Sequence, residues 1–151
     1  MEHQESPFLS VHVTAIAHAT EDIDKVERAV KFLLGLISQT EVGLNRRYLT
    51  GHHGNVITTI STRLSAKQLY PEALKVLFQR LSQSDRAFLS RDVRNCLDED
   101  GNLYLRFDKE EAFLGNLKLQ QADPIRMKLK FSSGHDIERM VRVCAESGVT
   151  A

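Results

Sequence analysis

Residues 124–131 alternate apolar and polar side chains without exception, in the order Pro-Ile-Arg-Met-Lys-Leu-Lys-Phe. Successive side chains of a β-strand point to opposite faces of the sheet. The pattern therefore predicts a strand that buries Ile125, Met127, Leu129 and Phe131. Its other face carries Arg126, Lys128 and Lys130, which stand about 6.5 to 7 Å apart along the strand.

Four more stretches have the β-rich composition of strands. The first runs from Phe8 to Ala19 and the last from Leu103 to Phe107. Between them, Val42–Thr50 and Asn55–Leu64 flank the loop Gly51-His52-His53-Gly54. A short glycine-bounded loop between two such runs predicts a β-hairpin.

Apolar residues at helical spacing predict five helices, each preceded by a residue that can cap it. The second helix should become regular near Pro71, because proline disfavours a helical residue before it. The last should span residues 136–147, with Gly148 at its C-terminal end. The expected starts are Thr20, Ser65 or Pro71, Ser84 or Asp85, Asp108 and Asp136.

The order β-α-β-β-α-α-β-α-β-α contains a hairpin, which argues against a purely parallel, doubly wound sheet. One-sided strands and amphipathic helices instead favour a two-layer α+β domain. In this arrangement the helices pack on one face of a mostly antiparallel sheet. We expect a single domain of residues 8–151, preceded by a short N-terminal tail of residues 1–7.

The chain has 20 Lys and Arg against 20 Asp and Glu, so its formal net charge at pH 7 is zero. This balance argues against a strongly cationic, nonspecific nucleic-acid binder, unless the charges are segregated onto one face. No apolar run approaches the roughly 18 residues of a membrane span. The N-terminus also lacks a signal-peptide pattern. We therefore expect a cytoplasmic protein with no membrane partner.

If the helices cover the apolar face, the opposite face collects cations, hydroxyls and one aromatic ring. These groups suit phosphate contacts and limited base stacking. The alternative interpretation is an ordinary solvated strand face. The candidate RNA-binding residues are Arg126, Lys128, Lys130, Arg106, Tyr104, Arg63 and His12.

Candidates for metal binding and catalysis have simpler explanations. His52 and His53 are adjacent in a presumed turn and lack further ligands nearby in sequence. The chain has no nucleophile elbow, zinc-protease motif or phosphate-binding glycine loop. Cys96 and Cys144 are too few for a disulfide framework. We expect no catalytic residues, no metal and no cofactor.

Three segments together resemble a family of small archaeal proteins described as predicted RNA-binding and exosome-associated. They are the hairpin segment Gly51-His52-His53-Gly54-Asn55, the run from Asn102 to Lys109, and Asp123-Pro124-Ile125 followed by alternating cations. The stretch from Val11 to Thr20 is similar too. The resemblance implies a fold like that of ribosomal protein L5, RNA as the partner, and a cytoplasmic protein.

The resulting interpretation is a non-catalytic RNA-binding protein that acts as an accessory factor in RNA processing or decay. The main alternative is a protein-interaction module whose open sheet or hairpin docks on a larger complex. The sequence does not determine the oligomeric state, and a homodimer is compatible with it. A third is a small enzyme acting on a phosphorylated substrate. Clustered Arg and Lys on an open face would favour RNA, whereas an exposed apolar patch would favour a protein partner.

Overall fold

A computed structural model describes residues 7–132 and 136–148 of the chain. The elements follow in the predicted order, with two added 3₁₀ turns at Ala66–Gln68 and Val93–Cys96. The strands are β1 (Phe8–Ala17), β2 (Asn45–Thr50), β3 (Val56–Ser65), β4 (Asn102–Phe107) and β5 (Ile125–Phe131). The helices are α1 (Ile23–Ile37), α2 (Ala73–Arg80), α3 (Gln83–Asp92), α4 (Lys109–Phe113) and α5 (Ile137–Glu146).

The five strands form one sheet in the order β2-β3-β1-β5-β4. All four neighbouring pairs are antiparallel. The longest helix, α1, packs against β1, α2 and α4. The predicted α+β class, with helices on one face of an antiparallel sheet, is therefore confirmed. Apart from Pro7, the predicted N-terminal tail lies outside the described residues.

The core lies between the sheet and the helices. Val11 and Val13 of β1 meet Leu33 of α1 in a single cluster, and all three are fully buried. Burying an aliphatic or aromatic side chain of this size contributes about 1.5 to 3 kcal/mol. This one-sided core leaves the other face of the sheet without a helical cover.

Strand β5 has the predicted orientation. Ile125, Met127, Leu129 and Phe131 are at most 3% exposed. The three cations between them are exposed. A one-residue slip in register would bury all three charges, so the burial of the apolar set fixes the cations on the opposite face.

Asp108 caps α4 and Asp136 caps α5 as predicted, but the first three helices begin at other residues than the predicted caps. Thr20 lies inside a turn closed by the His18 carbonyl, which accepts a hydrogen bond from the Glu21 amide. The cap of α1 is instead Asp22, whose carboxylate accepts from the Asp24 amide at 3.0 Å. Ser65 caps only the first 3₁₀ turn, and Ser82 caps α3.

Strand β1 is shorter than predicted and begins irregularly. It ends at Ala17, so His18 is not part of the strand. Its register shifts between Phe8 and Ser10, which leaves Leu9 53% exposed and buries Phe8.

In the described part of the chain, no helix combines the length and the apolar composition that a membrane span requires.

Candidate nucleic-acid interface

We call the sheet surface opposite the helices the open face. Directly paired residues of antiparallel strands project to the same side, so the register determines which side chains share this face. Six cations lie on it, and all six are exposed. They are Arg47 of β2, Arg63 of β3, Arg106 of β4, and Arg126, Lys128 and Lys130 of β5.

The register places the predicted site residues in adjoining rows that cross the sheet. One row runs Arg63, His12, Lys128, Tyr104 over four neighbouring strands. Neighbouring strands are about 4.8 Å apart. The next row runs Asn45, Ser61, Thr14, Arg126, Arg106, and Lys130 lies beside Ser10 and Asn102 in the row on the other side. All seven candidates of the sequence analysis are therefore neighbours.

The strand positions that the register assigns to the open face hold no acidic residue. Within residues 7–132 and 136–148, none of the six forms an ion pair with an acidic side chain. Away from this face, Lys25 pairs with Glu110 at 3.6 Å and Arg94 with Glu138 at 2.7 Å. The strand positions of the open face therefore carry positive charge only, although the whole chain has a formal net charge of zero.

On the helix side of the sheet, acidic residues of α1 neutralise an arginine of β2. Arg46 lies on the helix side of β2, where its guanidinium bonds Glu27 and Asp24 of α1. The hydrogen bond from Arg46 lowers the pKa of Glu27. The next residue, Arg47, projects to the open face and has no such partner among the described residues.

Tyr104 is fixed at the edge of the open face by Asp98. Its hydroxyl donates to a carboxylate oxygen of Asp98 at 2.8 Å, and this bond raises the pKa of Tyr104. The same carboxylate accepts from the amides of Asp100 and Asn102. Although burial pushes the pKa of Asp98 up, these bonds outweigh burial and hold it below its usual value. Asp98 is ionised at neutral pH and restrains the ring.

Two adjoining depressions lie along this face. The aromatic depression, of about 230 Å³, is lined by Tyr104 and Arg106 of β4 and by groups of β1 and β5. The cationic depression, of about 280 Å³, is lined by Arg63, Lys130 and Ser10 together with groups it shares with the first. The shared residues are His12 and Lys128.

His18 belongs to a different cluster at the rim of the sheet. Its Nε2 lies 3.0 Å from Asp123, and the Lys109 ammonium lies 2.8 Å from Asp123 and 2.9 Å from Glu21. His18, Glu21 and Asp123 are metal-ligating residue types. The ammonium already bonds both carboxylates and the Ile16 carbonyl, so the cluster ties the segment before β5 to the end of β1.

The sequence analysis missed two residues of this surface. Alternation places one of the two consecutive arginines of β2 on each face, but it does not say that Arg47 is the one on the open face, because the whole strand is exposed. Asp98 had no signal beyond its place in an acidic turn. The metal-free interpretation of His52 and His53 stays a prediction; both are exposed in the hairpin loop.

Comparisons with known proteins identify the family of this chain. The sequence profile of a family described as RNA binding matches residues 10–131. RNA-binding protein PAB1135 of Pyrococcus abyssi is 30% identical over 125 residues, which are 80% of this chain and 81% of that protein.

Solved structures share the fold. Protein AF2318 from Archaeoglobus fulgidus superposes with a TM-score of 0.75 and 26% identity, covering 93% of this chain and 99% of that one. Mth689 from Methanothermobacter thermautotrophicus gives a TM-score of 0.66 at 24% identity, covering 95% and 98%. The profile match over most of the chain and the identity to the Pyrococcus protein show that this chain belongs to the protein family described as RNA binding.

Proposed function

We propose that the protein binds RNA through the open face, as a non-catalytic accessory factor in RNA processing or decay. The observation that carries this proposal is the group of six exposed cations without acidic partners among the described residues. Unpaired cations on a flat surface are complementary to a phosphate backbone.

The rows suggest how the backbone is held. Arginine and lysine of β5 supply charge, while the hydroxyls of Thr14 and Ser61 continue across the sheet the row that begins with Arg106 and Arg126. Phosphate contacts of this kind fix the position of the ligand without reading its bases. Binding through them should therefore depend on salt and vary little among unrelated sequences.

The first prediction tests the β5 row. Replacing Arg126, Lys128 and Lys130 together with Gln should weaken the binding of unrelated RNAs by similar factors. Each lost phosphate contact lowers the slope of log affinity against log salt by roughly 0.7 to 0.9. Three contacts would thus lower it by roughly 2 to 3. A binding titration at several salt concentrations measures both quantities.

The matched control changes the same number of charges on the helices. Arg28 and Lys31 of α1 and Lys75 of α2 are exposed, and their joint replacement by Gln leaves the open face intact. We expect this control to bind with nearly the parental salt slope, with circular dichroism confirming that both variants fold. If both triple variants lost the same RNA affinity, only the total charge of the protein would matter, and β5 would not be the RNA surface.

The accessory role, the association with an exosome-like complex and the cytoplasmic location extend the proposal beyond binding. They come from the archaeal family resemblance, as does the likeness to ribosomal protein L5. A protein that contributes an RNA-holding surface but no catalytic group would act beside an enzyme that processes the same RNA. We propose neither a cofactor nor a metal for this role.

A second candidate function rests on the β2–β3 hairpin. Tyr48 is 60% exposed, Leu49 49% and Val56 50%. Exposed apolar groups gathered on one element favour a protein partner, either a larger complex or a second copy of the chain. This function becomes the better account if the β5 triple variant binds RNA as tightly as the parent with an unchanged salt slope.

A further inference from the structure

The two depressions of the open face have different chemistry. The aromatic depression offers flat groups: the ring of Tyr104 and the guanidinium groups of Arg106 and Arg126. The faces of such groups stack on nucleobases. The cationic depression offers the charges of Arg63 and Lys130 and the hydroxyl of Ser10, which suit a phosphate.

The depressions also adjoin, because His12 and Lys128 line both. Lys128 lies directly opposite Tyr104 on one side and His12 on the other. Its ammonium is 6.0 Å from the centroid of the Tyr104 ring, within the range of a cation–π contact. A site for a flat aromatic group is therefore next to a site for an anion. A nucleotide has the same arrangement, because its flat base is linked through the sugar to its phosphate.

We infer that the open face takes single-stranded RNA in preference to duplex, with one unpaired base in the aromatic depression and its phosphate in the cationic depression. The inference rests on the proposed function and specifies its ligand. Asp98 acts as a positioning residue, because its hydrogen bond to the Tyr104 hydroxyl fixes the ring.

Duplex RNA does not fit these two sites together. Its base faces are covered by stacking, and only backbone and groove edges are presented to a protein. Tyr104 is half-buried in the sheet and held by Asp98, so its ring cannot wedge between stacked base pairs. The Tyr104 hydroxyl is already bonded to Asp98, so the face of the ring is the part of Tyr104 that remains for a base.

The test compares an unstructured 12-nucleotide RNA carrying one 2-aminopurine with the same strand annealed to its complement. We expect the single strand to bind at least ten times more tightly, with the fluorescence of the 2-aminopurine quenched by stacking. Changing Tyr104 to Ala should weaken single-strand binding roughly 5- to 150-fold, the equivalent of one stacked base. The salt slope should stay unchanged, since no phosphate contact is lost.

Two further variants separate stacking from the fold. Tyr104→Phe keeps the ring and loses only the bond to Asp98, so it should retain most of the affinity. It should show weaker quenching, and Asp98→Asn should behave similarly. Tyr70→Ala removes an exposed tyrosine that does not belong to any strand of the sheet, and this variant is expected to bind like the parent.

The outcomes distinguish this inference from the proposed function. If duplex and single strand bind equally and Tyr104→Ala binds like the parent, the single-strand inference is wrong. RNA binding by the open face would still stand as long as the β5 triple variant loses affinity. If the parent protein binds neither RNA, both the inference and the proposed function are overturned.

Discussion

The two thiols of the described chain lie in surroundings that suppress their reactivity. Cys144 of α5 is fully buried, and burial raises its pKa to about 12. Cys96 is partly buried, and burial raises its pKa as well. Because the thiolate is the reactive form of cysteine, both side chains serve packing at neutral pH.

This environment predicts that Cys144 does not react in the folded protein. In a Cys96→Ser variant, Ellman's reagent at pH 8 should release almost no chromophore before unfolding and one equivalent after addition of guanidinium chloride. The parent serves as the two-thiol control. Rapid reaction of Cys144 under native conditions would mean that α5 opens from the rest of the domain on the timescale of labelling.

Single residues of the open face could be predicted from sequence only where burial reveals their direction. In β5 every second residue is buried, so the cations between the buried residues must lie on the opposite, exposed face of the strand. Strand β2 is exposed at all positions, so its pattern contains no core side against which to orient Arg47. The bond between Tyr104 and Asp98 depends on the path of a turn, which alternation does not specify.

At the scale of elements, caps decide where helices begin. The side chain of Asp22 satisfies the Asp24 amide, which is otherwise unpaired at the first turn of α1. Thr20, a cap candidate of equal sequence quality, is exposed within the preceding turn. The stability of α1 should therefore depend on Asp22 and not on Thr20.

We predict that Asp22→Ala lowers the free energy of unfolding by about 0.5 to 2 kcal/mol, the usual cost of losing an N-cap. Thr20→Ala should change it by less than about 0.5 kcal/mol, as expected for a surface substitution. Urea denaturation followed by circular dichroism measures both. A larger loss for Thr20→Ala than for Asp22→Ala would restore Thr20 as the cap.

The order and type of all ten principal elements could be predicted, because apolar periodicity records which face of each segment is buried. The ends could not be predicted as well. A competing turn between His18 and Glu21 moved the start of α1. The 3₁₀ turn after Ser65 separated that cap from α2, which begins at Ala73.

At the scale of the molecule, zero net charge conceals two electrically different sides. The strand positions of the open face hold six cations and no Asp or Glu, whereas the ion pairs of Lys25, Arg46, Lys109 and Arg94 with carboxylates lie elsewhere. Such an arrangement gives the molecule an orientation in the field of a polyanion. An RNA strand would therefore meet the open face first, and increasing salt would weaken this steering.

Acid should destabilise the whole domain through two carboxylates that hold its loops. The pKa of Asp98 is lowered by its hydrogen bonds against the effect of burial. The pKa of Asp123 is lowered by Lys109 and His18, again against burial. A lowered folded-state pKa contributes stability above the usual value near 3.8, and this stability is lost as the pH falls through the folded value.

We therefore predict that the free energy of unfolding falls as the pH decreases from about 5 to 3, the range in which such carboxylates take up protons. Asp98→Asn and Asp123→Asn should each be less stable than the parent at pH 7 and show a shallower loss with acid. Urea denaturation across this range tests the expectation, with the exposed Glu99→Gln as control. Parallel pH profiles for all four proteins would contradict it.

Strand β2 lies at one edge of the sheet, and its outer backbone groups have no neighbouring strand in the described chain. An uncovered edge of this kind can template pairing with another chain, which begins aggregation. With Tyr48 and Leu49 exposed beside it, this edge combines open backbone groups with apolar side chains. Arg47 precedes both in the strand, and pairing with the same strand of a second copy would bring its charge near the equivalent charge of that copy. We therefore expect Arg47, one of the cations of the open face, also to disfavour association of two copies along this edge.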